Sequence, residues 1–222
     1  LRSRGLGDVY KRQPDEILKE YYMEISVLDE EYTHNNYRIL QIRKGIKSIF
    51  EDAQSRATIV IKLNNPNLFS LLIGRRVLSN EIISDGDYIV YSANVFEAFG
   101  RINHSILNDF SKTSVIWGID GDWMVSLVKS NVKFHPTDHC GVIRVLDETV
   151  ILPEYLTYAL AKEGERIGFS RVNRASTERV REISITIPDI EIQKKAIKKV
   201  TVLNEELATL ESRQTQISSE KL

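Results

Sequence analysis

Residues 168–193, GFSRVNRASTERVREISITIPDIEIQ, join two kinds of sequence that together decide the fold. The first half is polar, and the second half is a short run of alternating isoleucines that ends at Pro188. Proline cannot continue a strand ladder, Asp189 is a good helix N-cap, and Glu191 places negative charge at the positive end of the helix dipole. The stretch therefore predicts a polar loop, a short strand and a helix in succession.

The helix that follows carries a heptad pattern. Its apolar stripe alternates between four-residue and three-residue spacing, with Gln193 and Gln214 as polar interruptions, and this pattern is typical of a coiled coil. Residues 189–220 would form a helix roughly 48 Å long. A stripe of this length needs a partner helix, in the same chain or in another. We expect the partner interface to be formed by Val200, Leu203, Leu207, Leu210 and Ile217.

The polar half of the stretch is rich in arginine. Between residues 166 and 181 there are five arginines and one acidic residue, Glu178. A guanidinium group matches a phosphate or the major-groove edge of guanine, and an asparagine amide matches adenine. The residue types predict DNA contacts from the loop, although a solvated surface loop would have the same composition. The predicted contacts are Arg171, Asn173, Arg174 and Ser176.

Composition limits the class of protein. The chain has 222 residues, 42% of them hydrophobic, and this is enough for one ordinary domain and an extension. The formal net charge of −1 provides no general attraction to DNA, so DNA binding would require a local basic patch. The single cysteine, Cys140, excludes a disulfide framework. No apolar run is long enough to span a membrane, and we expect a prokaryotic cytoplasmic protein.

Changes of pattern along the chain predict four segments. Residues 1–13 resemble the translated adapter leader of proteins read from shotgun sequences, so we expect them to be non-native and the chain to be part of a longer protein. Residues 14–57 predict a helical lead-in, and residues 189–222 the long coiled-coil helix. Residues 58–188 carry short apolar runs separated by turn signals, and include predicted strands at 88–91 and 150–152 and a helix that ends at Gly164. The expected fold is α+β, with a mostly antiparallel twisted sheet.

Further polar and aromatic residues in 58–188 suggest contacts with DNA. Gly74 permits close backbone approach, so the two cations that follow it can meet phosphates. The segment from Trp117 to Trp123 predicts a hairpin tip flanked by aromatic rings and suited to stacking in a groove; the alternative is that both rings pack in the core. The predicted contacts in this region are Arg75, Arg76, Tyr91, Ser92, Asn94, Trp117, Asp120 and Trp123.

No catalytic or metal site is predicted. Two carboxylates around a glycine, as at Asp120 and Asp122, are more typical of a hairpin turn than of a metal pair. The polar cluster between His135 and Cys140 favours a structural role, because Pro136 prevents a helix that would align its side chains. The nearest match to an adenine methylase motif, at residues 65–68, lacks its second proline and its aromatic residue. We therefore expect a protein that is not itself an enzyme and holds no cofactor.

Several of these segments resemble one family. Residues 185–188 (ITIP), 191–195 (EIQKK) and the leucine-rich helix resemble the end of a target recognition domain in the specificity subunits of type I restriction-modification systems. The segments LLIGRRVL at 71–78 and YSAN at 91–94 are similar to further elements of such domains. The sequence PDIEIQ departs mildly from the family pattern, which usually has a second proline.

The resemblance implies partners as well as a fold. It implies a domain that reads one half of a split target in double-stranded DNA from the major groove, and a helix that spans roughly 14 base pairs between half-sites. A DNA adenine methyltransferase subunit would hold S-adenosylmethionine and flip the base, a restriction (translocase/nuclease) subunit would be a further partner, and the C-terminal helix could mediate a homodimer. Two alternatives stay open: the recognition region of a truncated adenine-specific DNA methyltransferase, and a coiled-coil interaction protein that does not bind DNA.

Overall fold

The computed structural model describes residues 14–220, so the expected leader at 1–13 lies outside the described residues. The helices in this range are α1 (Pro14–Ser55), α2 (Pro153–Ile167), α3 (Thr177–Arg181) and α4 (Ile190–Glu220). The strands are β1 (Ile59–Lys62), β2 (Phe69–Ile73), β3 (Tyr88–Tyr91), β4 (Gly100–Ile102), β5 (Ser114–Gly118), β6 (Val125–Val128), β7 (Phe134–Pro136), β8 (Cys140–Val145) and β9 (Ser184–Ile187). This α+β architecture and its long C-terminal helix confirm the predicted fold class. None of the helices in the described range has an apolar stretch that could cross a membrane.

The chain forms two compact units whose boundaries fall inside α1 and α4. Among the described residues, the helical unit contains 14–49 and 199–220, and the sheet unit contains Phe50–Lys198. The sequence prediction placed its boundaries where the secondary structure changes, at residues 57 and 188. The packing instead assigns the last turn of α1 to the sheet unit, because Phe50 stacks on Tyr158 of α2 with ring centroids 4.2 Å apart.

In the helical unit α1 and α4 run antiparallel. Arg213 of α4 forms an ion pair with Glu31 of α1 at 2.7 Å. Nearer the other end of the pair, a Cβ on Gly45 of α1 would lie 3.6 Å from Leu203 of α4. Low residue numbers in α1 therefore lie beside high residue numbers in α4, as expected for an antiparallel pair.

The heptad stripe of α4 lies against a matching stripe on α1. Val200 and Ile217 are buried, and the three leucines between them are half-buried. Within the helical unit, α1 carries a stripe of buried and half-buried positions with the same alternation of three and four residues: Ile25, Leu28, Tyr32, Asn35, Ile39, Ile42, Ile46 and Ile49. The predicted coiled-coil stripe thus has its partner within the chain. A homodimer through the same side chains would have to displace α1 or add to the outside of the pair.

A polar layer interrupts this apolar seam. The Gln214 amide donates to the Tyr32 carbonyl at 3.1 Å and to Asn36 Oδ1 at 2.8 Å, and Gln214 is only 9% exposed. Buried polar side chains in coiled coils fix the register, because any other register leaves them without partners. Gln214 therefore fixes which residues of α1 face α4.

The sheet unit is built on a four-stranded antiparallel sheet with the order β2-β8-β5-β6. A second sheet, β4-β3-β7, contains one parallel pairing, between β3 and β7, and β1 pairs with β9. Every residue of β5 is buried, so this central strand lies in the core between layers. The central sheet positions the loops that follow its strands.

Two predictions about α2 and its neighbours are wrong. Gly164 does not end α2, which continues to Ile167 and is capped by Gly168 at φ 76°. Gly164 instead accommodates the Trp123 ring, since a Cβ there would lie 2.1 Å from Trp123 Cε2. Residues 150–152 do not form a strand.

The Gln193 side chain forms hydrogen bonds with the backbone of residues 150–152. Its amide oxygen accepts from the Leu152 N–H at 3.0 Å, and its Nε2 donates to the Val150 and Pro188 carbonyls at 3.0 and 2.9 Å. Gln193 is fully buried within the sheet unit. It therefore holds the start of α4 against the segment before α2, and is not a polar interruption of the coiled coil.

Candidate DNA interface

One edge of the central sheet gathers loops from distant parts of the chain. β2 ends and β8 begins at this edge, because Ile73 pairs with Gly141, and β5 ends here because Gly118 pairs with Cys140. We call this edge the loop end. It carries the loops at 74–76, 119–124 and 137–139.

The first loop brings Arg75 and Arg76 to the loop end. A Cβ on Gly74 would lie 1.9 Å from the Pro136 carbonyl oxygen, so only glycine permits this close approach. The Arg75 N–H donates to the same carbonyl at 3.0 Å. Both arginine side chains are exposed, and within residues 14–220 neither forms an ion pair. Two uncompensated guanidinium groups therefore lie at this edge.

His135 lies beneath this loop. It is 1% exposed, and its Nε2 donates to the Arg75 carbonyl at 3.0 Å. Burial lowers the pKa of the imidazole and outweighs the opposing effect of this hydrogen bond. Among the described residues Nδ1 has no hydrogen-bond partner, so the buried ring is neutral.

The loop between α2 and α3 is fastened to the same edge. The Ala175 N–H donates to the Ile119 carbonyl at 3.1 Å, and the Ala175 carbonyl accepts from Trp117 Nε1 at 2.9 Å. These two bonds place the arginine-rich loop beside the β5–β6 turn, where the sequence separation gave no indication of proximity.

The two tryptophans do not form an exposed hairpin tip. Trp117 is fully buried, and Trp123 packs on Phe169 with its Nε1 donating to the Ala161 carbonyl at 2.8 Å. Both indole N–H groups are satisfied inside the sheet unit. Trp117 therefore packs in the core, as the alternative expected, whereas the half-buried Trp123 ring lies against Phe169 and is not exposed at a hairpin tip.

Asp120 connects three loops at this edge. Its carboxylate accepts from Arg174 Nε and from His139 Nδ1. Partial burial opposes ionisation of Asp120, but the hydrogen bonds from His139 and Arg174 outweigh it and lower the pKa of the carboxyl. Asp120 therefore directs Arg174 and offsets part of its charge.

The tip of the α2–α3 loop is held by its own side chains. Asn173 Nδ2 donates to the Gly168 carbonyl at 3.0 Å, and the Ser170 N–H donates to the Asn173 carbonyl at 3.0 Å. The Asn173 amide is used in this turn, so the predicted adenine contact would require it to leave these bonds. Arg171 and Val172 project from the tip, where Val172 is 96% exposed.

The other arginines of the loop have structural partners. Arg166 is paired with Glu163 on α2 at 2.5 Å, and Arg179 lies over the Phe169 ring at 4.8 Å. Ser176, predicted to contact DNA, is the N-cap of α3 and accepts from the Arg179 N–H at 3.4 Å. Arg181 Nη2 donates to the Leu71 carbonyl at 3.3 Å, so of the five arginines Arg171 and Arg174 remain as candidates for DNA contact.

The segment after β3 reaches the loop end through Thr137. The Thr137 N–H donates to the Tyr91 carbonyl at 2.9 Å, and its hydroxyl donates to Ser92 Oγ at 3.0 Å. The Tyr91 ring packs edge-on against Phe134, and burial raises the pKa of its phenol. Ser92 is thus at the predicted interface, whereas Tyr91 directs its side chain into the core.

Asn94 stabilises a turn beside this segment. Its Oδ1 accepts from the Phe96 N–H at 3.0 Å, and its Nδ2 donates to Glu97 at 3.2 Å. These bonds occupy the amide that was predicted to contact DNA. Phe96, at 64% exposure, is the more prominent side chain of the turn.

A cleft of about 390 Å³ opens at the loop end between β2 and the α2–α3 loop. Ile73 and Val172 form apolar walls, and Arg174, Asp138 and Thr177 lie among the lining residues. The sequence did not predict Ile73 or Val172 as contacts. The one available signal was Val172, an apolar side chain among arginines in an otherwise polar segment.

The polar cluster at 135–140 separates in the structure. His139 and Asp138 belong to the loop end, whereas Cys140 is buried and its thiol pKa is raised to about 12 by desolvation. A buried thiol of this kind is unreactive. Across the described residues, no three His, Cys, Asp or Glu side chains are grouped so as to share a metal ion.

Comparisons with known proteins identify a family. Residues 64–219 match the family model of the type I restriction modification DNA specificity domain. A curated Mycoplasma pneumoniae protein named as a type I specificity subunit is 34% identical over 89 residues, which are 39% of this chain and 26% of that protein.

Solved structures show the same fold at low sequence identity. The type I restriction-modification S subunit of M. genitalium matches with a TM-score of 0.66 and 14% identity, over 89% of this chain and 56% of that one. The HsdS subunit of Thermoanaerobacter tengcongensis matches with a TM-score of 0.58 and 10% identity, over 93% and 55%. The chain thus spans little more than half of these subunits. Because the family model covers most of its length, the chain belongs to the family of type I restriction modification DNA specificity domains.

Proposed function

We propose that the sheet unit recognises one half of a bipartite target in double-stranded DNA for a type I restriction-modification system. The observation that carries this proposal is the convergence of Arg75, Arg76, Arg171 and Arg174 from two separate loops on one edge of a sheet. In a chain of net charge −1, this local cluster is where phosphate contacts are expected.

The chemistry of methylation and cleavage belongs to other polypeptides in this proposal. A DNA adenine methyltransferase subunit would hold S-adenosylmethionine and flip the base, and a restriction subunit would join the same complex. A second recognition domain would read the other half-site.

The helical unit would dock the methyltransferase through the outer face of α1. Tyr37 and Leu40 lie three residues apart on this face and are 63% and 54% exposed. Exposed apolar side chains that neighbour one another on a helix are typical of a protein interface. The Tyr37→Glu and Leu40→Glu variants are expected to lose methyltransferase capture without loss of thermal stability. Val60→Glu, at an exposed site in the sheet unit, is the matched control.

Selection from a randomised duplex pool tests the proposed function. The purified chain is incubated with the pool, alone and with a candidate methyltransferase subunit, and the retained DNA is sequenced. Enrichment of a bipartite motif is the expected result. A pool that stays random under both conditions would contradict DNA recognition and favour an interaction protein with a coiled coil.

A further inference from the structure

We infer that the cleft between Ile73 and Val172 reads the major-groove edge of a thymine. This inference rests on the proposed function, and it names one base that the sheet unit discriminates. It is carried by the shape and chemistry of the cleft, in which an apolar gap lies beside the Thr177 hydroxyl and the Arg174 guanidinium, with the carboxylates of Asp138 and Glu178 also in the lining.

The apolar gap has walls from two separate elements. Ile73 is the last residue of β2 and is 48% exposed, while Val172 projects from the α2–α3 loop and is 96% exposed. Single exposed apolar residues are common, but these two line one cleft at the edge that carries the arginine cluster. The bonds of Asn173 to its own loop hold Val172 outward, so its exposure belongs to an ordered turn.

Thr177 supplies a second and independent observation. It lines the same cleft and is 8% exposed, and its hydroxyl has no hydrogen-bond partner among the described residues. Buried hydroxyl groups normally have partners, so this one indicates that a polar ligand atom completes the site. Arg174 also lines the cleft and adds donors.

Thymine fits the apolar gap better than the other bases. Its major-groove edge presents a C5-methyl group beside the O4 acceptor. Cytosine presents an amino donor without a methyl group, and guanine and adenine have no methyl group at all. The methyl group would fill the gap between Ile73 and Val172, and O4 would accept from Thr177 or Arg174.

The test replaces each thymine of the selected site with uracil, which lacks only the methyl group. At one position the unmodified protein should bind the uracil duplex about fourfold more weakly, the effect of burying one methyl group. Val172→Ala should bind thymine and uracil duplexes equally at that position. Val60→Ala, which removes the same groups from an exposed valine on β1, should retain the preference.

Thr177→Val provides a second variant of nearly the same shape. It should be at least as thermally stable as the unmodified protein, because it removes an unpartnered hydroxyl, and it should bind the thymine duplex more weakly. A selected site without a T·A pair, or a thymine preference that is unchanged in Val172→Ala, would overturn the inference alone. Failure of the unmodified protein to select any sequence would overturn the proposed function and this inference with it.

Discussion

Arg174 is ion-paired with Asp120, so that the loop between α2 and α3 is joined to the turn between β5 and β6. Asp120 also accepts from His139, and one carboxylate thereby organises three loops at the loop end. A carboxylate within a DNA-binding surface repels phosphate. If the loop end binds DNA as proposed, the presence of Asp120 there implies that the direction of Arg174 matters more than the full strength of its charge.

Asp120→Asn is expected to strengthen binding to random duplex DNA and to weaken discrimination in favour of the selected site. The substitution leaves Arg174 uncompensated, so the plot of log affinity against log salt should become steeper by up to about 0.9. Fluorescence anisotropy titrations across a salt series measure both quantities. Asp122→Asn changes the net charge equally, but Asp122 is exposed and forms no ion pair within residues 14–220. Identical behaviour of the two variants would contradict this role for Asp120.

Arg171→Ala and Arg174→Ala should weaken DNA binding to different extents. Arg171 has no acidic partner in the described part of the chain, so its loss should reduce the salt slope by about 0.9, the value of one phosphate contact. Arg174→Ala should reduce it less, because Asp120 already offsets part of the charge. Arg166→Ala, whose side chain is paired with Glu163, is the control and should bind normally. Unchanged affinity of the double variant at every salt concentration would remove the loop from the interface.

The parts of the fold that depend on local periodicity could be predicted from the sequence. The heptad of α4 and the isoleucine alternation of β9 are visible in consecutive residues, and the structure has both elements. Strand β4 was not predicted because it is three residues long, too short for a period to be recognised. Strand β7 pairs in parallel with β3. It was not predicted because it ends at Pro136, and a proline suggests that a strand is interrupted.

The site was only partly predictable, because its geometry is set by strand register. Asp120 and Arg174 were both predicted to contact DNA, but their pairing follows from the attachment of Ala175 to Ile119. Composition equally could not show that Trp117 is buried, since an aromatic residue beside a turn suits a groove or a core. Only the position of β5 at the centre of its sheet decides between the two.

Gln193→Leu should destabilise the sheet unit. The substitution leaves the Leu152 N–H and the Val150 carbonyl without the buried partner that Gln193 provides. Each unsatisfied buried group costs about 1–3 kcal/mol, so a loss of at least about 2 kcal/mol is expected in denaturant unfolding. Gln216→Leu is the matched control, because Gln216 is exposed on the same helix. A Gln193→Leu variant as stable as this control would show that the bonds are dispensable.

Charged substitutions in the coiled-coil seam are expected to lower stability without changing the oligomeric state. Leu203→Asp and Leu210→Asp place charges in the seam against α1, so helicity and melting temperature should fall. The molar mass in analytical ultracentrifugation should stay the same, because the partner helix belongs to the same chain. Val202→Asp, at 62% exposure on α4, should leave the melting temperature nearly unchanged. A change of mass without loss of helicity would instead indicate pairing between copies.

The buried imidazole of His135 makes stability depend on pH. Burial lowers the pKa of His135 below its ordinary value of 6.5, so the unfolded chain binds a proton that the folded chain does not. The contribution of His135 to stability is therefore constant above about pH 7.5 and falls as the pH decreases through 6.5 toward the lowered pKa of the folded state. His135→Gln retains a donor for the Arg75 carbonyl without the titration, and its melting temperature should fall less between about pH 7.5 and 5.5. His34→Gln, on the exposed face of α1, should follow the unmodified protein. If all three proteins lose stability in parallel, groups other than His135 account for the acid sensitivity.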